Sequence, residues 1–254
     1  MAATIPSATT TPSSHQAVPP GSSTRPAPEG FLARRPVIGL GLLLFGGLLF
    51  SVLGVNVLTH GPLLAWDEPI IQALHGYARH NGWLALDAMR FSGTLGNVTA
   101  TGITLMLVLY SLWKRRWRVL SMLVIGVFGG NAWFQVLSRL FGRHRPVFPD
   151  PFGTIPLPGF PSGHAMQAVL LYGLILYLLL PRLRSWRWRL LAALDAVSIM
   201  LLVGYSRLYV GDHYPTDVLG GYAFGLVWAA LVYTGLELFH RSRRSAAPST
   251  AAVE

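Results

Sequence analysis

The first long apolar run of the chain decides its fold: residues 37–58 read VIGLGLLLFGGLLFSVLGVNVL. No residue in this run is charged, and a helix needs about 20 apolar residues to cross the hydrocarbon core of a bilayer. Backbone groups in lipid must find their hydrogen-bond partners within the segment itself, so the run is predicted to be a transmembrane helix.

Five further apolar runs follow, and two of them are only just long enough to span a bilayer. They lie at about residues 91–113, 119–137, 163–180, 190–205 and 216–239. We therefore predict an all-α, polytopic membrane domain over residues 31–244 with six transmembrane helices. Between the first two, an amphipathic segment is expected to lie along the membrane interface. Its apolar residues are Trp66, Ile70, Ile71, Leu74, Tyr77, Trp83 and Leu86.

The composition agrees with a membrane protein, because 52% of the 254 residues are hydrophobic and only 12% are charged. A soluble globular domain carries about twice that charged fraction. The chain has no cysteine, which excludes disulfides, thiolate catalysis and cysteine metal sites. Residues 1–30 are rich in Ala, Thr, Ser and Pro, and we expect disordered cytoplasmic tails there and at residues 245–254.

The basic residues are distributed unevenly between the two sides of the predicted bundle. Of the 20 Lys and Arg residues, 14 lie before the first helix, between helices 2 and 3, between helices 4 and 5, or after helix 6. The positive-inside rule makes that side cytoplasmic, so both termini are expected inside the cell. The net charge of +10 is thus explained by topology in a plasma (inner) membrane, and nucleic-acid binding is disfavoured.

Two pairs of glycines stand four residues apart within predicted helices, Gly126 with Gly130 and Gly221 with Gly225. Small residues at this spacing allow membrane helices to approach closely. We therefore expect close helix contacts at both pairs.

Three polar clusters stand at the predicted helix ends. They comprise residues 138–146 after the third helix, residues 161–164 at the start of the fourth, and residues 206–217 between the fifth and the sixth. Since successive helices cross in opposite directions, all three clusters are expected on the extracytoplasmic face. Basic side chains are disfavoured on that face, so their presence there indicates a bound anion; they are Arg139, Arg143, Arg145 and Arg207.

The residue types in these clusters suit phosphate chemistry. Arginine offers planar, bidentate donors to phosphate. Ser162 is a predicted N-cap, and the start of a helix presents free N–H groups and a positive dipole end to an anion. His213 precedes Asp217 by four residues, and a carboxylate on one ring nitrogen leaves the other as an oriented nucleophile. His164 then remains for proton transfer to the leaving oxygen.

Each of these elements has an ordinary interpretation when it stands alone. A histidine at a helix end is commonly solvated, Ser162 could serve only as an N-cap, and Arg143 and Arg145 could hold anionic headgroups. A zinc site built from the two histidines and one carboxylate is disfavoured, because the neighbouring arginines would repel a divalent cation. The three clusters together favour phosphate chemistry without a metal or cofactor.

The clusters resemble the signature of the type 2 phosphatidic acid phosphatase (PAP2) superfamily, whose membrane branch includes lipid phosphate phosphatases and undecaprenyl-diphosphate phosphatases. The family pattern is Lys, six residues and Arg-Pro, then Pro-Ser-Gly-His, and finally Ser-Arg, five residues, His, three residues and Asp. Arg145-Pro146, residues 161–164 and residues 206–217 match it in order and spacing. The resemblance covers roughly residues 35–240.

The resemblance implies roles for individual residues. It implies metal-free catalysis through a phosphohistidine on His213, oriented by Asp217, with His164 protonating the leaving group. It also implies a set of phosphate-binding residues, namely Arg145, Ser162, Gly163 and Arg207.

One position departs from the family pattern. Counting back from Arg145, the family lysine falls on Ser138. A guanidinium reaches far enough to contact a phosphoryl oxygen from a neighbouring position, so we expect Arg139 or Arg143 to bind phosphate in place of that lysine.

The sequence leaves several functions open. We expect a hydrolase acting on a lipid phosphate or diphosphate, with polyprenyl (undecaprenyl) diphosphate as the first candidate and phosphatidate-type lipids as the second. A phosphotransferase with an acceptor alcohol would use the same site. A non-enzymatic lipid-binding or transport protein would not need His213 and Asp217 together. The lipid tail, the number of phosphates and the oligomeric state, monomer or homo-oligomer, are not specified by the sequence.

Overall fold

A computed structural model of the protein describes residues 36–80, 99–148 and 157–245. Throughout these three ranges the chain forms helices joined by turns and short loops, and contains no strand. The predicted all-α class is therefore confirmed for the described part of the chain. Most of both predicted tails, residues 1–30 and 245–254, lies outside the described residues.

Seven α-helices are described, and a short 3₁₀ turn at Pro62–Trp66 joins the first two. The fourth contains a π-helical stretch at Met122–Phe128. In chain order the helices are α1 Pro36–Thr59, α2 Asp67–His80, α3 Thr99–Trp113, α4 Trp117–Phe141, α5 Gly163–Leu179, α6 Trp186–Tyr209 and α7 Pro215–Ser245.

Five of these helices are long and apolar enough to cross a membrane, namely α1, α4, α5 (with the turn that follows it), α6 and α7. The described part of α3 is a shorter apolar helix, and residues 91–98 of the predicted second span lie outside the described residues. Six spans therefore stay a prediction, whereas a polytopic helical membrane protein is supported by the five.

The predicted start of the fifth span was too late by four residues. Helix α6 begins at Trp186 rather than Leu190, because Ser185 caps it by accepting a hydrogen bond from the Arg187 backbone N–H. Tryptophan and arginine are common where a helix enters the membrane interface, so they continue the helix although they interrupt the apolar run. The helix is 24 residues long, which is long enough to cross the hydrocarbon core of a bilayer.

The predicted amphipathic segment contains the helix α2. Ile71 and Ala78 are buried against the rest of the protein, whereas Ile70 and Tyr77 are exposed. The helix packs on α6 and α7. Trp83 and Leu86 lie outside the described residues, and a position along the membrane interface remains a prediction.

Helix α7 forms the centre of the bundle, where it packs against α1 and α5. The predicted close contact at Gly221 and Gly225 is confirmed: a Cβ atom on Gly221 would lie 2.3 Å from the Ser162 carbonyl oxygen, and one on Gly225 would lie 2.9 Å from Val169 Cβ. The Gly126/Gly130 pair packs similarly closely against side chains of α5 and α7. Because α5 and α7 touch at their first turns, the polar residues at the two helix starts become neighbours.

Candidate active site

The three polar clusters meet at one end of the bundle, where α4 ends, α5 begins, and α6 turns into α7. The contact between the second and third clusters is direct, because the Ser162 N–H donates to the Asp217 carbonyl oxygen at 2.9 Å. The first cluster joins them through Arg145, whose Nη1 lies 3.2 Å from His213 Nε2. The expectation that the clusters lie together is therefore confirmed by these contacts, whereas the extracytoplasmic location of this end of the bundle stays a prediction.

His213 and Asp217 form a buried pair at the start of α7. Both side chains are at most 1% exposed, and His213 Nδ1 lies 3.6 Å from Asp217 Oδ2. This separation is longer than a hydrogen bond, but catalytic contacts often tighten only when substrate binds. Pro215 is the first residue of α7, and Asp217 on that first turn faces back towards the imidazole.

The partners of His213 indicate which ring nitrogen carries the proton. Arg145 can only donate, so His213 Nε2 accepts at 3.2 Å and the proton belongs on Nδ1, facing Asp217. Burial lowers the pKa of His213 below its ordinary value, while Asp217 partly opposes that shift. The imidazole is consequently held neutral, with the Nε2 lone pair directed to the side where the arginine lies.

Two arginines border the same space. Arg145 is held by backbone oxygens: its Nε donates to Leu157 O at 2.7 Å and its Nη1 to Asp212 O at 2.8 Å. Burial lowers the pKa of Arg145, yet an arginine stays charged at any working pH. Arg207 is 6% exposed, and its Nη1 donates to Asp212 Oδ2 at 3.2 Å. Its Nη2 is buried without a hydrogen-bond partner among the described residues.

The start of α5 provides two further kinds of donor, the Ser162 hydroxyl and the backbone N–H groups of the helix start at Gly163. Ser162 occupies the predicted N-cap position, but its hydroxyl makes no capping hydrogen bond and is buried without a partner among the residues described. The hydroxyl is thus free to serve another acceptor. Gly163 follows, and a Cβ atom there would lie 2.8 Å from Phe134 Cζ, so only glycine lets the helix start approach that ring.

His164 lies on the first turn of α5, close enough to Arg207, His213 and Arg145 to interact with them electrostatically. It is therefore placed among the predicted catalytic and phosphate-binding residues. The structure brings together all of the residues for which the family motif predicts a role; they are His213, His164, Asp217, Arg145, Ser162, Gly163 and Arg207.

The two arginines proposed to replace the motif lysine have other surroundings. Arg139 lies on the last turn of α4 with an exposed side chain. Arg143 donates from Nη1 to Asp217 Oδ1 and from Nη2 to Asp67 Oδ2, both at 2.6 Å. Ser138, at the lysine position, is buried and donates to the Gln135 carbonyl oxygen at 3.3 Å. Phosphate binding by Arg139 or Arg143 remains a prediction.

Sequence reasoning missed Asp67 and Thr216. Asp67 is 2% exposed at the start of α2, and Thr216 is 6% exposed at the start of α7. Their contact joins residues 149 positions apart, and no spacing rule connects such positions. The local sequence shows two adjacent acidic residues before Pro69, Asp67 and Glu68, and does not distinguish the one that is buried.

A cavity of about 490 Å³ lies beside the polar cluster rather than over His213. Its walls combine apolar groups from the end of α1 and α4 with polar groups of the site, and its lining includes Val57, Leu64, Phe141, Arg143, His144 and Tyr214. The cavity therefore offers mixed apolar and polar space next to the candidate catalytic residues.

A model of the PAP2 superfamily matches residues 117–241, which contain all three polar clusters. Among curated proteins, phosphatidylglycerophosphatase B of Bacillus subtilis (strain 168) is 38% identical over 122 residues, which are 47% of this chain and 59% of that protein. Undecaprenyl-diphosphatase BcrC of the same organism is 28% identical over 170 residues, or 65% of this chain and 81% of that protein. Lipid A 1-phosphatase of Rhizobium johnstonii is 28% identical over 223 residues, which are 78% of this chain and 83% of that protein.

Among solved structures, the crystal structure of a transmembrane PAP2 type phosphatidylglycerolphosphate phosphatase from Bacillus subtilis superposes with a TM-score of 0.63 at 28% sequence identity. The superposition covers 80% of this chain and 96% of that one. By contrast, the chain spans 59% of the length of the first curated relative above. The structural superposition therefore covers most of the helical bundle and not only the motif.

Proposed function

Because the chain belongs to the PAP2 superfamily, we propose that it is an integral membrane phosphatase that hydrolyses a lipid phosphate or diphosphate. One observation carries the proposal. His213 has a carboxylate on its Nδ1 side and the Arg145 guanidinium at 3.2 Å on its Nε2 side. An oriented nucleophile beside an anion-binding donor is the arrangement that phosphoryl transfer requires.

The proposed reaction has two steps. First, His213 Nε2 attacks phosphorus while the bond to the leaving oxygen breaks, and His164 donates a proton to that oxygen. Phosphorus is then bonded to nitrogen in a phosphohistidine, and Asp217 stabilises the positive charge on the ring. In the second step water attacks phosphorus, His164 accepts the water proton, and inorganic phosphate leaves with the imidazole restored.

The phosphate would be held by preset donors. The buried Ser162 hydroxyl and Arg207 Nη2 have no hydrogen-bond partner in the described part of the chain, and unpaired buried donors are costly unless they serve a ligand. Arg145 and the N–H groups at the Gly163 helix start complete the set. Donors fixed before the reaction stabilise developing charge without reorganisation.

The substrate class follows from the relatives and the apolar bundle. The relatives are named for phosphatidylglycerophosphate, undecaprenyl diphosphate and lipid A, which share a phosphate on a membrane lipid. We propose polyprenyl diphosphate first and phosphatidate-type lipids second. The charge distribution further supports cytoplasmic termini, six spans and an active site on the extracytoplasmic face of the plasma membrane.

The test is phosphate release by the purified protein from a panel of lipids. The panel contains undecaprenyl diphosphate, phosphatidate, phosphatidylglycerol phosphate and lysophosphatidate, each with chelator, and His213→Ala serves as the inactive control. Release from at least one lipid that depends on His213 supports the proposal. No release from any of them, or equal release by the variant, contradicts it. Adding glycerol as acceptor distinguishes a phosphotransferase, which would then form glycerol phosphate at the expense of free phosphate.

A further inference from the structure

We propose that Asp67, on the outer-segment helix α2, is a positioning residue that acts through Arg143 and Thr216 to hold Asp217 against His213. The inference rests on the proposed function, since it assigns a role in orienting the proposed nucleophile. It also gives Arg143 a different task from phosphate binding.

The contacts form a closed network around Asp217. The Arg143 guanidinium bridges two carboxylates at 2.6 Å each, Asp217 through Nη1 and Asp67 through Nη2. Thr216 is the third member: its N–H donates to Asp67 Oδ1 at 3.0 Å, and its hydroxyl donates to Asp67 Oδ2 at 2.5 Å. Asp67 thereby holds both Arg143 and the residue next to Asp217 in the chain.

The network determines how the Asp217 carboxylate is turned. Arg143 occupies Oδ1, while the Tyr214 N–H donates to Oδ2 at 2.9 Å. Oδ2 is consequently the oxygen that faces His213 Nδ1. Rotation of the carboxylate would break the charge-assisted bond to Arg143, and charge-assisted bonds are roughly twice as strong as neutral ones.

Burial explains why Arg143 is retained by the carboxylates. Asp67 and Asp217 are 2% and 0% exposed, and a buried carboxylate without a cation is strongly destabilising. If Arg143 turned to a bound phosphate, both carboxylates would lose their shared counter-charge. Arg143 is also stacked at 4.6 Å from the Tyr214 ring centroid, which fixes the plane of the guanidinium.

Asp67→Asn tests this role through the rate of phosphoenzyme formation. The amide keeps the shape but loses the charge, so Arg143 and Asp217 should shift and the rate should fall by about 10-fold to 100-fold. The inhibition constant of vanadate, a phosphate analogue, should change by less than about threefold. Gln72→Ala on the same helix is the control and should keep the wild-type rate, since Gln72 is exposed and its amide donates to Glu68 rather than to Asp67, Arg143 or Thr216.

A double substitution separates positioning from general structural support. In an Asp217→Asn background the Asp67→Asn change should reduce the rate by less than about threefold, because its effect passes through the charge already removed. A full additional loss in that background would overturn the inference. So would a large rise in the vanadate constant for Asp67→Asn, which would mean that Arg143 binds phosphate and that Asp67 serves that contact.

Thr216 gives a second test if Asp67→Asn fails to fold. Thr216→Ser keeps the hydroxyl and should retain most of the rate, whereas Thr216→Val removes it and should lose about tenfold. Equal rates in the two variants would overturn the inference. Failure of the proposed function is distinguishable: wild-type protein would then form no phosphoenzyme, or His213→Ala would form it equally well.

Discussion

Replacement of Gly221 by alanine should disable the site although it replaces none of the predicted catalytic or phosphate-binding residues. Gly221 lies on α7 one turn after Asp217, against the start of α5. An added Cβ would lie 2.3 Å from the Ser162 carbonyl oxygen and 2.9 Å from Ala165 Cβ. A backbone carbonyl and an alanine methyl cannot rotate out of the way, so the helices themselves must move apart.

The size of the effect follows from these distances. Atoms in good contact are about 3.5 Å apart, so α5 and α7 would separate by roughly 1 Å near Ser162. Overpacking of this kind costs about 1–3 kcal/mol of stability. A misplacement of about 1 Å in a catalytic site costs on the order of 100-fold in rate. We expect loss of activity of that order together with a lower thermal unfolding midpoint.

The assay compares lipid phosphate release and thermal unfolding in the same detergent for Gly221→Ala and Gly235→Ala. Gly235 lies on the same helix, and a Cβ atom there meets nothing within 4 Å. The control should match or slightly exceed the wild-type stability, because alanine is the better helix former. If the two variants were equally active and equally stable, the close approach of α5 and α7 would not be what positions Ser162.

Four further predictions concern the chemistry and the topology. His213→Ala should abolish covalent labelling by a 32P-labelled substrate, whereas His164→Ala should slow labelling far less with a good leaving group such as p-nitrophenol; rapid acid-labile labelling of His213→Ala would identify another nucleophile. Burial lowers the pKa of His213, so the imidazole stays neutral and nucleophilic to lower pH. In the pH profile of kcat/KM, the fall in activity on the acidic side that His213 causes should therefore lie below pH 6.5. A fall centred above pH 6.5 would contradict this assignment. Activity should survive EDTA, and complete loss restored by one specific metal would be evidence for a metal centre. Cysteines introduced at Ser14 and Thr154 should react oppositely with a membrane-impermeant thiol reagent on intact cells, with only position 154 labelled; the reverse pattern would invert the topology.

The helices and the catalytic motif were predictable because their signals are local. A run of some 20 apolar residues specifies a membrane helix without reference to the rest of the chain. The four-residue spacing of His213 and Asp217 at a helix start likewise limits how far apart they can lie. The boundary at Trp186 was missed because a serine cap and interfacial aromatic residues extend a helix beyond its apolar run.

The detailed use of each polar group was decided only by the tertiary structure. Ser162 was predicted as an N-cap and occupies that position, but its hydroxyl makes no capping bond, and its backbone N–H donates to the Asp217 carbonyl oxygen of α7. The sequence presents Arg143 as a candidate phosphate ligand, and only the structure shows that it also pairs with Asp67 and Asp217. That pairing needs the start of α2 folded against both the loop after α4 and the start of α7, and its Arg143–Asp67 contact joins residues 76 positions apart. The local sequence shows which polar and charged side chains lie near the helix ends. Contacts between distant parts of the chain decide which buried carboxylate each arginine neutralises.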